Sequence, residues 1–324
     1  MESNWGIIGH EWAVQLISDR IERGRTSHAY LLAGPQGVGK TLFATRLAQA
    51  INCTGDNPPC GYCRACDLIG RRQHPDFHIL EPENDKIRIE AIRELQNVIA
   101  MRPFEARYRV ALVSRFDRAT ESAMDALLKT LEEPPSMSKI VITADVGETL
   151  LPTIVSRCQV IPLRPVPSSQ IEAALQERFN LPPEQAGVLA RLSGGRPGWA
   201  INAAQNPEVY AAHSQSIDTL IGLLRSGRVA RFNYAEELVR YDKLRETLEI
   251  WQSWWRDVML LAEGSQVVPV HADRMSDLEM IAGQSGTEAA RCALIAVRDA
   301  IQYLSRYANP RLTLEVMFLE MPYL

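Results

Sequence analysis

The stretch GPQGVGKT, Gly34 to Thr41, sets three glycines, one lysine and one hydroxyl at the spacing G-x-x-x-x-G-K-T. Glycines let successive backbone N–H groups converge on one point, and a helix beginning behind them adds partial positive charge. The chemistry that suits such a nest is the holding of a polyphosphate. Lys40 is placed for the outer phosphates and Thr41 for Mg²⁺, while Gly34, Gly37, Val38, Gly39 and Leu42 complete a predicted loop for ATP or ADP. The plain alternative is a glycine-rich turn that holds nothing.

A second chemistry-bearing group follows at once. Cys53, Cys60, Cys63 and Cys66 fall at C-x6-C-x2-C-x2-C in a segment rich in Gly, Pro and Asn. Four thiolates at this spacing can close a tetrahedron around Zn²⁺ and leave no position for water, so the predicted role is structural. An iron–sulfur cluster uses similar spacing but usually draws its fourth cysteine from elsewhere. Two disulfides require an oxidising compartment. Cys158 and Cys292 are isolated, with apolar flanks, and are expected to be buried small residues. His28 reads as a packed or capping residue, and none of the six histidines stands in a recognisable nucleophile motif.

These loops need elements to position them. HAYLLA before the glycine loop reads as a strand, and an amphipathic helix follows from Lys40 to about Ile51. DFHIL, RVALV, KIVITA and QVIPL read as further strands. Between them, Ile89, Ile92, Leu95 and Ile99 form one helical stripe, and ESAMDALLKTLEE is a helix stopped by Pro134 and Pro135. Strands alternating with helices predict an α/β domain with a parallel sheet, residues 1–165. The pattern changes at Pro162, Pro165 and Pro167 and becomes helical throughout. A small helical unit is expected over 166–208 and longer helices over 209–324, among them Leu244 to Ala262 and Thr287 to Tyr307. Ile250, Trp251, Trp254, Trp255 and Val258 repeat at helical spacing; core or subunit interface is favoured over base stacking beside Arg256.

Composition sets the outer bounds. With 324 residues, 46% apolar and 23% charged, the chain is an ordinary globular protein of two or three domains. Its net charge of -4 excludes an overall basic field for nucleic acid and leaves room only for a local one. MESNWGIIGHEW is too polar for a signal peptide, and no apolar window reaches the ~20 residues of a membrane span. A cytoplasmic protein with reduced cysteines is the expectation.

Several segments taken together resemble the clamp-loader ATPases of bacterial replication, a branch of the AAA+ superfamily. They are IIGHEWAVQLI, HAYLLAGPQGVGKT, the four cysteines, HPDFHIL, ALLKTLEEPP, SRC and NPRLTLEVMFLEMPYL. The resemblance implies a RecA-like AAA+ sheet with an inserted zinc module at about 53–66, a helical lid over 166–208 and an oligomerising collar over 209–324. Leu312, Leu314, Val316, Phe318 and Leu319 are expected to pack deeply in that collar. The implied partners are the motor (gamma/tau) and delta subunits of the DNA polymerase III holoenzyme and, through the complex, the sliding clamp and primed DNA, with no membrane.

Within the family the chain resembles a stator and not a motor. The motor carries an Asp-Glu pair at the end of its RVALV-like strand, one residue for Mg²⁺ and one for the attacking water. Those positions here are Ser114 and Arg115, with Asp117 and Glu121 nearby. The chain also stops just after the collar-like helix, without a motor's long extension. The γ-phosphate sensor of the family maps to Thr143–Asp145, and the lid arginine of the family maps to Gly198, two residues after Arg196. The family's SRC arginine, Arg157 here, is implied to reach the ATP of a neighbouring subunit; the plain alternative is a salt-bridged surface residue. ATP binding with weak or absent hydrolysis is therefore expected. The rival is an autonomous DNA-dependent ATPase such as the motor subunit itself, and a third possibility is a zinc-stabilised adaptor that binds no nucleotide.

Overall fold

A computed structural model describes residues 5–145, 150–240, 243–306 and 308–324. Two compact units emerge. One comprises the residues up to Ala174 together with Gly195–Trp199; the other comprises Leu175–Gly194 and the residues from Ala200 on.

In the first unit, β1 (Ala29–Ala33), β2 (Phe77–Leu80), β3 (Arg109–Val113), β4 (Ser138–Ala144) and β5 (Gln159–Pro162) form a parallel sheet in the order β2-β3-β4-β1-β5. Apolar residues alternate between its two faces because strand side chains have period two. Tyr30, Leu32, Val110, Leu112 and Val141 join a core with Phe43 and Leu47 of α2 (Lys40–Asn52) and Ile17 of α1 (Glu11–Glu22). Ala29, Leu31, Ala111, Val113, Ile140 and Ile142 join another with Ile92, Leu95 and Ile99 of α4 (Ile89–Ala100) and Leu127 of α5 (Glu121–Glu132). Both faces being covered explains why the strands read as unbroken apolar runs. The cysteine segment carries α3 (Arg64–Gly70), and α6 (Pro152–Val155) precedes β5.

Within the stretch 166–208 expected to be helical lie α7 (Ser168–Phe179), α8 (Pro183–Leu192) and α9 (Pro197–Gln205). Beyond them lie α10 (Pro207–Leu224), α11 (Arg228–Val239), α12 (Leu244–Ala262), α13 (Met275–Ser305) and α14 (Pro310–Leu319). The tryptophan stripe of α12 is core: Trp251, Trp254 and Trp255 are fully buried with Leu220, Leu278, Val297 and Phe318. Gly286, at φ 69°, breaks α13, so its second half starts at Thr287 as the sequence suggests; Tyr307, its expected end, lies outside the described residues.

Two expectations need correction. Leu314 and Phe318 of α14 are buried, but Leu312, Val316 and Leu319 are exposed, because at i, i+4 and i+7 they share the outer face of a single helix. Cys158 and Cys292 are half-buried, with the Cys292 Sγ 3.8 Å from Glu288 on an exposed helix face. Among the described residues, no helix is long and apolar enough to cross a membrane.

Candidate functional site

Sheet register decides what surrounds the glycine loop. Ala33 at the end of β1 lies level with Ala144 of β4 on one side and Pro162 of β5 on the other. The loop therefore emerges between the residues that follow those strands, Asp145 and Leu163, at the carboxyl rim where α/β sheets bind ligands. Leu163 donates its N–H to the Ala33 carbonyl at 2.7 Å, and its own carbonyl sits where a side chain on residue 34 would stand, so only glycine fits there. Gly37 and Gly39 adopt φ of 82° and 108°, the left-handed region that glycine enters without strain. Val38 is buried, and Leu42, in the first turn of α2, is exposed. Burial lowers the pKa of His10, whose neutral Nε2–H faces the Val38 carbonyl at 3.3 Å.

Lys40 is only 7% exposed and its ammonium is fully engaged. Nζ donates to the Gly34 carbonyl at 2.6 Å, the Pro35 carbonyl at 2.9 Å and Asp145 Oδ1 at 2.8 Å. Asp145 is in turn tied to Asp117, whose Oδ1 accepts the Asp145 N–H at 3.0 Å. Two carboxylates thus lie in sequence beside the loop, although neither is at the end of β3.

That end carries Ser114 and Arg115, as the sequence indicates. Val113 is level with Ile142, so the two residues that follow face Thr143, and the Arg115 N–H donates to Thr143 Oγ1 at 2.9 Å. Ser114 is buried. Arg115 takes a left-handed backbone, φ 51°, and swings its guanidinium onto Asp85 at 2.6 Å, which Arg118 shares at 2.8 Å. The charge introduced at this position is spent on a surface carboxylate.

The first turn of α9 packs on the glycine loop. The Gly198 N–H donates to the Gly37 carbonyl at 2.8 Å, and a Cβ on residue 198 would stand 2.9 Å from that oxygen. A side chain larger than glycine's at 198 would push this turn off the loop, so the packing itself selects glycine there.

Arg157 follows the short helix α6 and is 34% exposed. Its NH1 donates to the Thr153 carbonyl at 2.9 Å, and its NH2 reaches Glu132 Oε1 at 2.6 Å. ALLKTLEEPP and SRC, far apart in sequence, therefore meet in one ion pair. Glu132 is a residue that sequence reasoning missed; its motif was noticed, but the pairing depends on where α5 ends.

The four cysteines converge as expected. Their Sγ atoms all lie within 4.8 Å of one another, with Cys60–Cys66 and Cys53–Cys63 at 4.0 Å. A tetrahedron with metal–sulfur distances of ~2.3 Å has edges of ~3.8 Å, so the set fits one thiophilic ion. The N–H groups of Cys60, Cys63 and Cys66 point at Cys53, Cys60 and Cys63 sulfurs at 3.4, 3.3 and 3.5 Å, an arrangement that favours thiolates. Burial raises the Cys63 thiol, but hydrogen bonds around it overcome that and bring it down to about 6, whereas burial pushes the Cys66 thiol up.

A buried acid that the sequence did not single out organises the start of β2. Asp76 accepts the N–H groups of Phe104, Glu105 and Ala106 at 2.7, 2.9 and 2.9 Å and pairs with Arg109 at 2.9 Å. Burial raises its pKa, and these bonds more than offset that, holding it at about 2.

With this geometry in place, the chain can be set beside known proteins, and most of the likeness falls in its first two hundred residues. The family described as DNA polymerase III, delta subunit, matches residues 9–167. The chain is 29% identical over 301 residues to DNA polymerase III subunit delta' of Bacillus subtilis, an alignment covering 91% of each. It is 34% identical over 192 residues to the subunit of the same name from Haemophilus influenzae, covering 58% of each. DNA polymerase III subunit gamma/tau of Mycobacterium tuberculosis is 32% identical over 203 residues, 59% of this chain and 34% of that one.

Proposed function

The chain belongs to the delta-prime family of DNA polymerase III clamp-loader subunits, and from that premise we propose that it acts as a stator of the loader. It would hold nucleotide without splitting it efficiently and would lend an arginine to the motor subunit beside it. One observation carries the proposal: the strand-end positions where a motor places its metal and water carboxylates hold Ser114 and Arg115, and Arg115 is turned out onto Asp85. An arginine can neither coordinate Mg²⁺ nor accept a proton from water. Gly34, Gly37, Val38, Gly39, Lys40, Thr41 and Leu42 are the residues assigned to ATP or ADP, with Thr41 toward Mg²⁺.

Arg157 is assigned to the neighbour's ATP. Its partial exposure and the exposure of Glu132, its acidic partner among the described residues, leave it accessible to a second subunit. A guanidinium supplied in trans stabilises charge that develops on the transferred phosphoryl group. Cys53, Cys60, Cys63 and Cys66 are assigned to a structural Zn²⁺, which when bound would cross-link the loop to α2 and α3 and do no chemistry. The lid over 166–208 and the collar over 209–324 complete the proposed subunit. The apolar stripe Leu312, Val316 and Leu319 suits packing against other subunits, gamma/tau and delta among them. Clamp and primed DNA would be engaged through that assembly, in the cytoplasm.

The deciding experiment is Arg157→Ala in the reconstituted loader. DNA-stimulated ATP turnover should fall while this chain alone stays nearly inactive; wild-type turnover and clamp loading would remove the trans role. A rival, an autonomous ATPase, has one observation in its favour, the Asp145–Asp117 pair beside Lys40. Brisk Mg²⁺-dependent hydrolysis by the purified chain would decide for it.

A further inference from the structure

Parallel strands place their carboxyl ends at the glycine loop and their starts at the opposite rim. At that opposite rim, beside the edge strand β2, two loops present aromatic side chains to solvent. Tyr62 of the cysteine segment is 75% exposed, and Phe104, between α4 and β3, is 80% exposed; Met101 on the same loop is exposed as well. The loops are neighbours: Glu105 takes Arg64 at 3.2 Å through one oxygen and has His74 3.7 Å from the other.

Lone exposed apolar residues are ordinary, but these two are held in place. Buried Asp76 clamps the N–H groups of Phe104 and the two residues after it, and Tyr62 stands between two members of the thiol cluster. Rigid display lowers the ordering cost of binding. The local charge also inverts. In a chain of net charge -4, Arg64, Arg71, Arg72, Arg102 and Arg107 are all exposed on segments 60–75 and 101–109. Asp67 and Glu105 form exposed pairs with Arg71 and Arg64, weak enough for phosphate to displace, whereas Arg72 reaches away to Glu81, just beyond the carboxyl end of β2. On the flank, Arg107 and Lys139 crowd one ring, 5.3 and 4.7 Å from the Tyr108 centroid.

We propose that this face binds single-stranded nucleic acid directly, with Tyr62 and Phe104 stacking on unpaired bases and the surrounding arginines meeting phosphates. Side chains three-quarters exposed stand proud of the surface, which suits the flat faces of bases. An aromatic anchor for a protein partner works instead by being received in a desolvated pocket. Duplex DNA keeps its bases stacked internally and offers such rings no partner. The inference goes beyond the clamp-loader proposal and does not depend on Arg157 or the glycine loop.

The test uses the full chain loaded with zinc and a fluorescent thymidine oligonucleotide of about twenty residues, followed by anisotropy at low salt. Binding is expected, and Phe104→Ala should weaken it about tenfold, with a further loss in Tyr62→Ala/Phe104→Ala. Arg102→Glu/Arg107→Glu should flatten the salt dependence by about 0.7 log unit per lost phosphate contact. Zinc content and melting temperature report whether the Tyr62 substitution disturbs the cysteines; Phe104→Ala, whose backbone still binds Asp76, decides if it does. Failure of the wild-type chain to bind, equal binding by Phe104→Ala, or competition by duplex as good as by single strand would each overturn the proposal. So would Phe104-dependent binding of an acidic apolar peptide in place of the oligonucleotide. None of these outcomes alters ATP turnover by the loader, so the two proposals fail separately.

Discussion

Asp145→Asn should make the chain bind nucleotide more tightly. All three N–H bonds of the Lys40 ammonium are used inside the protein, and the Asp145 contact, at 2.8 Å, is the one that carries opposite charge. A phosphate oxygen can claim the ammonium only by replacing that carboxylate. Lys40 is 7% exposed and Asp145 17%, so solvent screens the pair incompletely. A charge-assisted hydrogen bond in such a setting contributes about 1.5–3 kcal/mol, and allowing for the partial exposure of Asp145 leaves about 1.5 kcal/mol. Asparagine keeps the shape and the N–H to Asp117 but gives up the charge, so the dissociation constant for MgADP or MgATP should fall about tenfold. Calorimetric titration of wild type, Asp145→Asn and Lys40→Ala would measure this, with Lys40→Ala expected to bind most weakly. Without ligand, the variant should also melt lower, because a buried ammonium loses its counter-ion. Unchanged or weaker nucleotide binding by Asp145→Asn would refute the competition; it would mean that the carboxylate assists the ligand, as a metal-coordinating acid would.

Glu132→Gln should change loader turnover by no more than about fivefold, because an exposed ion pair contributes at most ~1 kcal/mol; a loss as large as that of Arg157→Ala would show that the acid positions the guanidinium. Chelation of metal, or Cys63→Ser, should remove about one zinc per chain by elemental analysis and lower the melting temperature by about 5 °C or more, reflecting the loss of a cross-link among α2, α3 and the loop. Asp76 supplies an acid-labile contribution. Its folded pKa of about 2 lies below the ordinary 3.8, so the stability it adds is complete above pH 4 and is lost as pH falls toward 2. That contribution is about 2 kcal/mol, and Asp76→Asn should flatten the acid limb of the unfolding profile while costing about 3 kcal/mol at neutral pH through unpaired Arg109.

Much of this was legible because local patterns determined it. Apolar runs such as RVALV announce strands covered on both faces, and the glycine, cysteine and proline spacings mark loops whose chemistry is set within a few residues. Long-range register was not legible. Lys40 meets Asp145, 105 residues away, only because β4 lies beside β1 and ends level with it. Arg231 is a sharper case. In an amphipathic helix it reads as a surface residue, yet it is 1% exposed and caps five backbone carbonyls, those of Leu223, Leu224, Phe318, Met321 and Pro322. No periodicity reveals a buried guanidinium that neutralises helix C-termini instead of a carboxylate. The misjudged depth of Leu312, Val316 and Leu319 has the opposite origin: with Leu314, Met317 and Phe318 they put apolar residues on every side of α14, which gives no sign of which face its own chain will cover.

The glycine loop illustrates why a motif and its chemistry must be argued separately. Gly34 is required by the Leu163 carbonyl, Gly37 supplies the carbonyl that takes the Gly198 N–H, and Val38 is buried beneath His10. Each of these demands holds whether or not a phosphate is bound. The loop is therefore a packing joint between β1, β5 and the first turn of α9 as well as the proposed nest for an anion, and its glycines alone do not report which use dominates. Lys40 and Thr41 are the positions that separate them. Gly198→Ala should strain the joint by forcing its Cβ to within 2.9 Å of the Gly37 carbonyl, lowering stability while leaving Lys40 untouched. Lys40→Ala should weaken nucleotide binding most; its cost in stability comes from the freed Gly34 and Pro35 carbonyls and Asp145, while the Leu163 and Gly198 contacts of the joint stay in place. If both variants lost stability and binding in the same proportion, the two uses of the loop would be one.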